Sequence, residues 1–483
     1  MASVLRGPAL RSQWPTLVDA LLGYASETPL APAVVDTVGG AYTYEGLLRA
    51  SLAAARLLAE KGAGPGAPVA MAPVNTVEHV AALLGAWLAG ATAVVMDAAG
   101  PWEELVFQLE RLGAKPAALV VDEELAGRHC PAAERLRVPC LPAQELARGS
   151  GWWEGYARPR PHEDALIYFY AGVAGRTLPV IHSHAGVAAS AAATTQHYGL
   201  GPVDASFVSP PISHALGLQV ATLSMLSVGG RTVLYTKRGR LDPGHAAAAM
   251  AASRATIAWG APGFYQAVLR AGYRGHPGLR AAVSAGAPMP PGLQREWLGA
   301  TGVELLQLYG MTEAAPLTAT LPGANPEGSI GFPMPGVELQ LLGEGGRVEA
   351  NLGEAAARGP MVMRGYGDPR ETAAAMLPGG WLRTGDILEE RGGFLYFKGV
   401  RKRMLKYKGY PVFPRDLEEL LERHPAVARA EVYGLETEHG LAPAARLWLR
   451  RGAEASPEEI MEWVNRMLPG YKRLRRVEVV GYS

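Results

Sequence analysis

Short apolar runs alternate with stretches of helical period along residues 15–160, and this alternation limits the possible folds more than any other feature of the chain. Residues 44–61 are amphipathic and Ala-rich, while 67–72 and 118–122 are strand-like. Strands joined through helices in this way point to a parallel sheet with crossover helices. A second alternating block follows, with strands expected at 232–235, 256–259 and 281–284, after a Pro-rich connector at 156–164. Residues 331–397 turn to short Gly-rich strands around 337–342, 356–358 and 394–397, which reads as a small β unit. After Gly399 the pattern changes again. An amphipathic helix is expected at 413–423 and strands at 430–433 and 445–449, and Ser456-Pro457-Glu458-Glu459 opens a helix as a capping box. A chain of 483 residues is long for one core. The expected fold class is α/β: a large N-terminal domain of two α/β subdomains plus a small β unit at 1–399, and a small mobile α/β C-terminal domain at 400–483.

Composition excludes several partners. A net charge of +1 gives no electrostatic reason to expect nucleic acid or an anionic membrane. The uncharged run 80–96 is shorter than the roughly 20 residues of a membrane span; Gly85, Gly90 and Val94-Val95-Met96 make it a buried helix turning into a buried strand. Cys130 and Cys140 are the only cysteines and no secretory leader is evident, so no disulfide framework is expected and a reducing cytoplasm is the expected location. Of 8 Lys against 38 Arg, four (Lys398, Lys402, Lys406, Lys408) fall within eleven residues. Such a cluster is either a solvated basic loop or a set of mobile ammonium groups wanted near phosphate or carboxylate oxygen.

The chemistry is carried by motifs far apart in the chain. Tyr309-Gly310-Met311-Thr312-Glu313, Thr384-Gly385-Asp386 and Lys406-Tyr407-Lys408-Gly409-Tyr410 follow one another in that order. Upstream stand Pro211-Ile212-Ser213-His214-Ala215-Leu216-Gly217 and Ser284-Ala285-Gly286-Ala287-Pro288. Together these resemble the adenylate-forming (AMP-binding) superfamily, and within it the acyl- and aryl-CoA ligases.

That resemblance implies roles. The Tyr309 ring lies on adenine beside Gly310, Gly286 and Ala287, Thr312 reaches the α-phosphate, and Glu313 holds Mg²⁺. Asp386 accepts from the ribose hydroxyls. His214 stands beside the substrate carboxylate, in an acyl pocket with Trp259, Gly260 and Ser284. Lys402 is the hinge of the C-terminal domain, and Lys406, Lys408 and Gly409 belong to the loop that enters the site at the thioester stage. Catalysis is thus expected from His214, Lys406 and Thr312.

Two departures stand against that pattern. The phosphate-gripping loop becomes Ala171-Gly172-Val173-Ala174-Gly175-Arg176-Thr177-Leu178-Pro179, without the usual hydroxyls and lysine. Each charge-assisted phosphate contact contributes about 1.5–3 kcal/mol, so ATP and Mg²⁺ are doubtful cofactors on this reading, whereas an AMP or adenylate moiety and coenzyme A or pantetheine are expected. The sequence also ends at Ser483, before the segment in which relatives carry a catalytic lysine, and Lys472 lies too early to be its equivalent.

The first expectation is therefore transfer of a pre-activated acyl group, as acyl-CoA or acyl-adenylate, to a thiol or amine acceptor such as CoA or an acyl carrier protein. A conventional ATP-dependent carboxylic acid–CoA ligase and a catalytically silent binding protein stay open as alternatives. The partner common to the enzymatic readings is a small carboxylate or its acyl-CoA.

Overall fold

The computed structural model describes residues 4–148, 153–170, 177–343, 346, 348–349, 351–400, 405–408, 410–453 and 455–482. The first of its three sheets runs in the order Gly365–Tyr366, Leu178–Ser183, Asp164–Tyr170, Ala93–Val95, Val69–Ala72, Ala118–Val121, Cys140–Pro142. From Asp164–Tyr170 to Cys140–Pro142 the strands are parallel. Leu178–Ser183 returns antiparallel. The uncharged run is the helix Val77–Leu88, buried at every position but Glu78, followed by the buried strand Ala93–Val95. Among the described residues no helix is long and apolar enough to cross a membrane.

The second sheet has a parallel centre made of Pro32–Asp36, Arg231–Leu234, Ala205–Val208, Ile257–Gly260, Ala281–Ser284 and Leu305–Met311. It then changes direction. Ala314–Ala319 folds back on Leu305–Met311, Ser329–Pro333 pairs with it, and Phe394–Val400, Trp381–Arg391, Leu352–Arg358 and Glu338–Leu342 continue the run. The Gly-rich β unit expected at 331–397 is thus an antiparallel extension of the central sheet. That continuity carries Asp386 to the same edge as Tyr309.

The two cysteines depart from expectation. Cys130 and Cys140 are joined, with Cα atoms 5.6 Å apart, inside the range a disulfide spans. The physical reason is local: the helix Ala126–Leu136 ends on Arg137 at φ 54°, and this left-handed residue turns the chain so that the next strand, Cys140–Pro142, returns beside it.

The C-terminal part has its own sheet, Tyr410–Val412, Leu405–Tyr407, Gly440–Leu449 and Val427–Thr437, with Arg476–Tyr482 parallel to Gly440–Leu449. The helix Pro414–Leu421 buries Leu417, Leu420 and Leu421, an i, i+3, i+4 stripe. The capping box on Ser456 forms as read. Gly440, at φ 101°, cannot be replaced cheaply: a Cβ there would lie 2.4 Å from the Lys406 carbonyl oxygen. The apolar core of this part draws only on residues between Leu405 and Val479, so none of the clusters found among the described residues bridges it to the rest of the chain.

Candidate active site

Tyr309 sits near the end of Leu305–Met311, where a register shift between Tyr309 and Met311 marks a bulge of the kind that re-aims side chains. Thr312 and Glu313 form the turn to Ala314–Ala319. The turn is tied from two sides. The Thr312 carbonyl lies 2.7 Å from His182 Nε2, and the Glu313 carbonyl accepts from the Met363 N–H at 2.7 Å. A carbonyl only accepts, so Nε2 carries the His182 proton. Burial keeps that ring neutral, with its pKa pushed down to about 4. Glu313 is wholly buried and its Oε1 accepts from the Tyr366 hydroxyl at 2.7 Å.

Seventy-seven residues later the chain supplies the partner of Tyr309, whose hydroxyl donates to Asp386 Oδ2 at 2.7 Å. Asp386 is 6% exposed, and its own N–H donates to Thr384 Oγ1, which in turn donates to the Ala355 carbonyl at 2.7 Å. Burial first, and then the Asp386 charge, hold the Tyr309 phenol well above its ordinary pKa, so it stays a donor. Burial lowers the pKa of Lys406, on Leu405–Tyr407, and the Asp386 charge partly restores it.

His214 lies in the turn before the helix Leu216–Thr222, which is wound as a π-helix, a form frequent at functional sites. Gly217 makes that turn possible: a Cβ there would meet the Pro211 carbonyl oxygen at 2.1 Å. His214 Nε2 is 3.8 Å from Asp97 Oδ2. Burial would raise the Asp97 pKa, but the His214 contact, the Ala99 N–H and Lys237 outweigh it and hold the carboxyl below its usual range. On the C-terminal side the rings of Tyr410 and Tyr471 stack 4.5 Å apart, and burial, with the Asp97 charge adding to it, raises both phenols.

Ser284 faces Gln307 across neighbouring strands, and both are buried. Gly286, at φ 80°, opens the exposed turn that follows, with Ala287 half-buried beside it. Gly310 packs against the Ala314 and Ala315 backbone. Trp259 is completely buried, its ring set edge-on to Tyr198 at 5.6 Å, and Gly260 lies against Phe264; these two are parts of a sealed core. Lys408 is exposed at φ 52°, its N–H donating to the His439 carbonyl at 2.9 Å. The hinge position Lys402, Gly409 and the altered loop 171–176 lie outside the described residues.

The match to known families is decided over most of the chain. Residues 23–367 fit the model of the AMP-binding enzyme, and residues 416–482 that of the AMP-binding enzyme C-terminal domain. The chain belongs to the AMP-binding enzyme family. It is 31% identical over 497 residues to a 4-coumarate–CoA ligase-like protein of Oryza sativa subsp. japonica, covering 93% of this chain and 81% of the relative. It is 29% identical over 460 residues to a 3-hydroxybenzoate–CoA ligase of Aromatoleum sp. (strain CIB), covering 89% and 87%. Among solved structures it resembles the o-succinylbenzoate CoA synthetase of Bacillus subtilis in two forms, each 25% identical and covering 95% of this chain and 94% of the other. The TM-score is 0.83 to a double mutant bound with the product analogue OSB-NCoA and 0.72 to the complex with the acyl-adenylate OSB-AMP.

In this AMP-binding enzyme, reasoning from the sequence missed Asp97, Glu104 and Asp416, and it named Thr177 and Lys472 without their contacts at the domain seam. Asp97 had one available signal. It lies just past the carboxyl end of a parallel strand, Ala93–Val95, after Met96, and ligands of such sheets gather at the carboxyl ends of the strands.

Proposed function

We propose that this enzyme joins a small acyl or aryl carboxylic acid to coenzyme A with ATP, through an acyl-adenylate. The observation that carries the reading is the meeting of Tyr309 and Asp386, drawn from two distant motifs into one hydrogen bond. In this proposal the Tyr309 ring covers adenine next to Gly286, Ala287 and Gly310, and Asp386 receives the ribose. Thr312 donates to the α-phosphate and His214 orients the acid's carboxylate, with Ser284 and the strand of Trp259 and Gly260 behind it. Lys406, Lys408 and Gly409 serve the thiol-side half of the reaction, and residues 400–483 turn about Lys402 between the two halves.

Mg²⁺ commonly takes one or two carboxylates and completes its shell with phosphate and water. Glu313, adjacent to Thr312, is the carboxylate that would hold it, and bound there it would neutralise charge on the phosphates. The higher TM-score to the product-analogue form than to the adenylate form supports a C-terminal domain resting in the thioester-stage arrangement. A cytoplasmic setting is kept as part of the proposal, and the joined Cys130–Cys140 pair is the observation it must accommodate.

A second reading, acyl transfer from a pre-activated donor to CoA or carrier-protein pantetheine, is favoured by the altered loop. Ala171, Val173 and Ala174 have no hydroxyl, and Leu178, standing where relatives carry lysine, is buried in the apolar core. One experiment separates the readings. A panel of acids with ATP, Mg²⁺ and CoA should give acyl-CoA, AMP and pyrophosphate in equal amounts. Turnover only when the same acyl groups are supplied already activated would select the second reading, and turnover of neither panel would leave a binding protein.

A further inference from the structure

Among the described residues no apolar cluster spans the two domains, yet buried charges join them. Lys472, 9% exposed, donates to Glu104 Oε1 at 2.6 Å, and Glu104 is equally buried on the helix Trp102–Glu110 of the N-terminal domain. Beside them Asp416, in the first turn of Pro414–Leu421, accepts from both the N–H and the hydroxyl of Thr177. Asp416 is 4% exposed and Thr177 is 3% exposed. Burial raises the Asp416 pKa, while Lys472 and Thr177 pull it back. Around this centre Arg111 pairs with Glu419 at 2.6 Å, and the Phe107 ring is covered by Arg111 at 3.6 Å and Arg423 at 5.2 Å. The seam is not packed solid: a cavity of about 200 Å³ runs along it between Phe107, Asp416 and Lys472. A buried ion pair holds when both partners are present, and removing one leaves an uncompensated buried charge that is strongly destabilising.

We infer that Glu104, Thr177, Asp416 and Lys472 are positioning residues, a latch that holds the C-terminal domain, with Lys406 and the Tyr410–Tyr471 pair, against the N-terminal domain. The consequence for the reaction rests on the ligase reading above. Thr177 closes the loop that reading assigns to phosphate, and its N–H and hydroxyl are already committed to Asp416. A triphosphate reaching for those donors must displace the carboxylate, so the latch opens for ATP and closes for the thiol-side step. An adenylate or AMP, held by Tyr309 and Asp386, makes no such demand.

The test places fluorophores on Val203→Cys and Tyr482→Cys, both exposed and in different domains, and measures energy transfer in the full chain with Cys130–Cys140 intact. Asp416→Ala and Lys472→Met should each lower the transfer efficiency, and Lys472→Arg should restore it, which loss of bulk packing alone would not reproduce. Thioester formation from acyl-adenylate and CoA should fall at least about tenfold in the two disrupted variants, with AMP affinity unchanged. If Asp416→Ala fails to fold, Thr177→Val breaks the hydroxyl contact from the other side and is read in the same way. Unchanged energy transfer in these variants overturns the latch. A fall in energy transfer without turnover of any acid or acyl donor keeps the latch and removes the ligase reading instead.

Discussion

The Tyr309–Asp386 wall and the domain seam are built on opposite principles. Tyr309 and Asp386 come from strands of one continuous sheet, their spacing set by strand register and their backs covered by the largest apolar cluster. Glu104, Thr177, Asp416 and Lys472 come from two bodies with separate cores, and their contact is ionic. The first grip exists whenever the N-terminal domain is folded. The second exists only while the domains are together. On the proposed ligase function, a site made this way keeps its nucleotide half permanent and makes its thiol half conditional, the division that two successive half-reactions in one cleft require.

Acid should strain the two regions unequally. His79, His182 and His184 are buried in the N-terminal domain, and burial holds each neutral with a pKa down to about 4. In the unfolded chain they bind protons near the ordinary pKa of about 6.5. Between these values the unfolded state holds more protons, so the stability they contribute is complete above about pH 6.5 and is lost as pH falls toward about 4. The loss should sum to several kcal/mol, read by denaturant titration at pH 7 and pH 4.5. An N-terminal transition that does not move with pH would remove the histidines from the account.

Lys472→Met is expected to come next. Removing one partner of a buried ion pair costs on the order of 3–5 kcal/mol, here spent at the seam. Calorimetry should resolve one transition into two, with the C-terminal domain separating first. A single transition shifted as a whole would mean that the domains are one cooperative unit.

Asp386→Asn should weaken AMP binding by about 1.5–3 kcal/mol, the value of a charge-assisted contact, and leave interdomain energy transfer unchanged. Tyr309→Phe should do less, about 0.5–1.5 kcal/mol, because the ring remains and only a neutral donor is lost. If the Asp386 variant also opens the domains, the two regions are not independent.

Much of the fold was legible because its signals are local. The strand expected at 281–284 is found at those bounds, the helix expected at 44–61 is Tyr44–Glu60, and the capping box on Ser456 forms. The hairpin of Asp164–Tyr170 and Leu178–Ser183 is not legible as strands, because a short continuous apolar run carries no period that separates strand from buried helix. The Tyr309–Asp386 pair was legible only through family resemblance, because no period links residues 77 apart. The latch was not legible at all. Positions 104, 177, 416 and 472 share no spacing, and their side chains meet only through the docking of one domain on another. The Cys130–Cys140 bridge escaped for a related reason: composition counts thiols but does not see the left-handed Arg137 that brings them together.

The most direct test of this contrast is to titrate the doubly labelled protein with AMP and, separately, with Mg²⁺ and ATP, following heat and energy transfer together. The account predicts that AMP binds with no change in energy transfer, whereas ATP binds only with a fall in it, as Asp416 releases Thr177. ATP binding with the energy transfer unchanged, or no AMP binding at all, would contradict it.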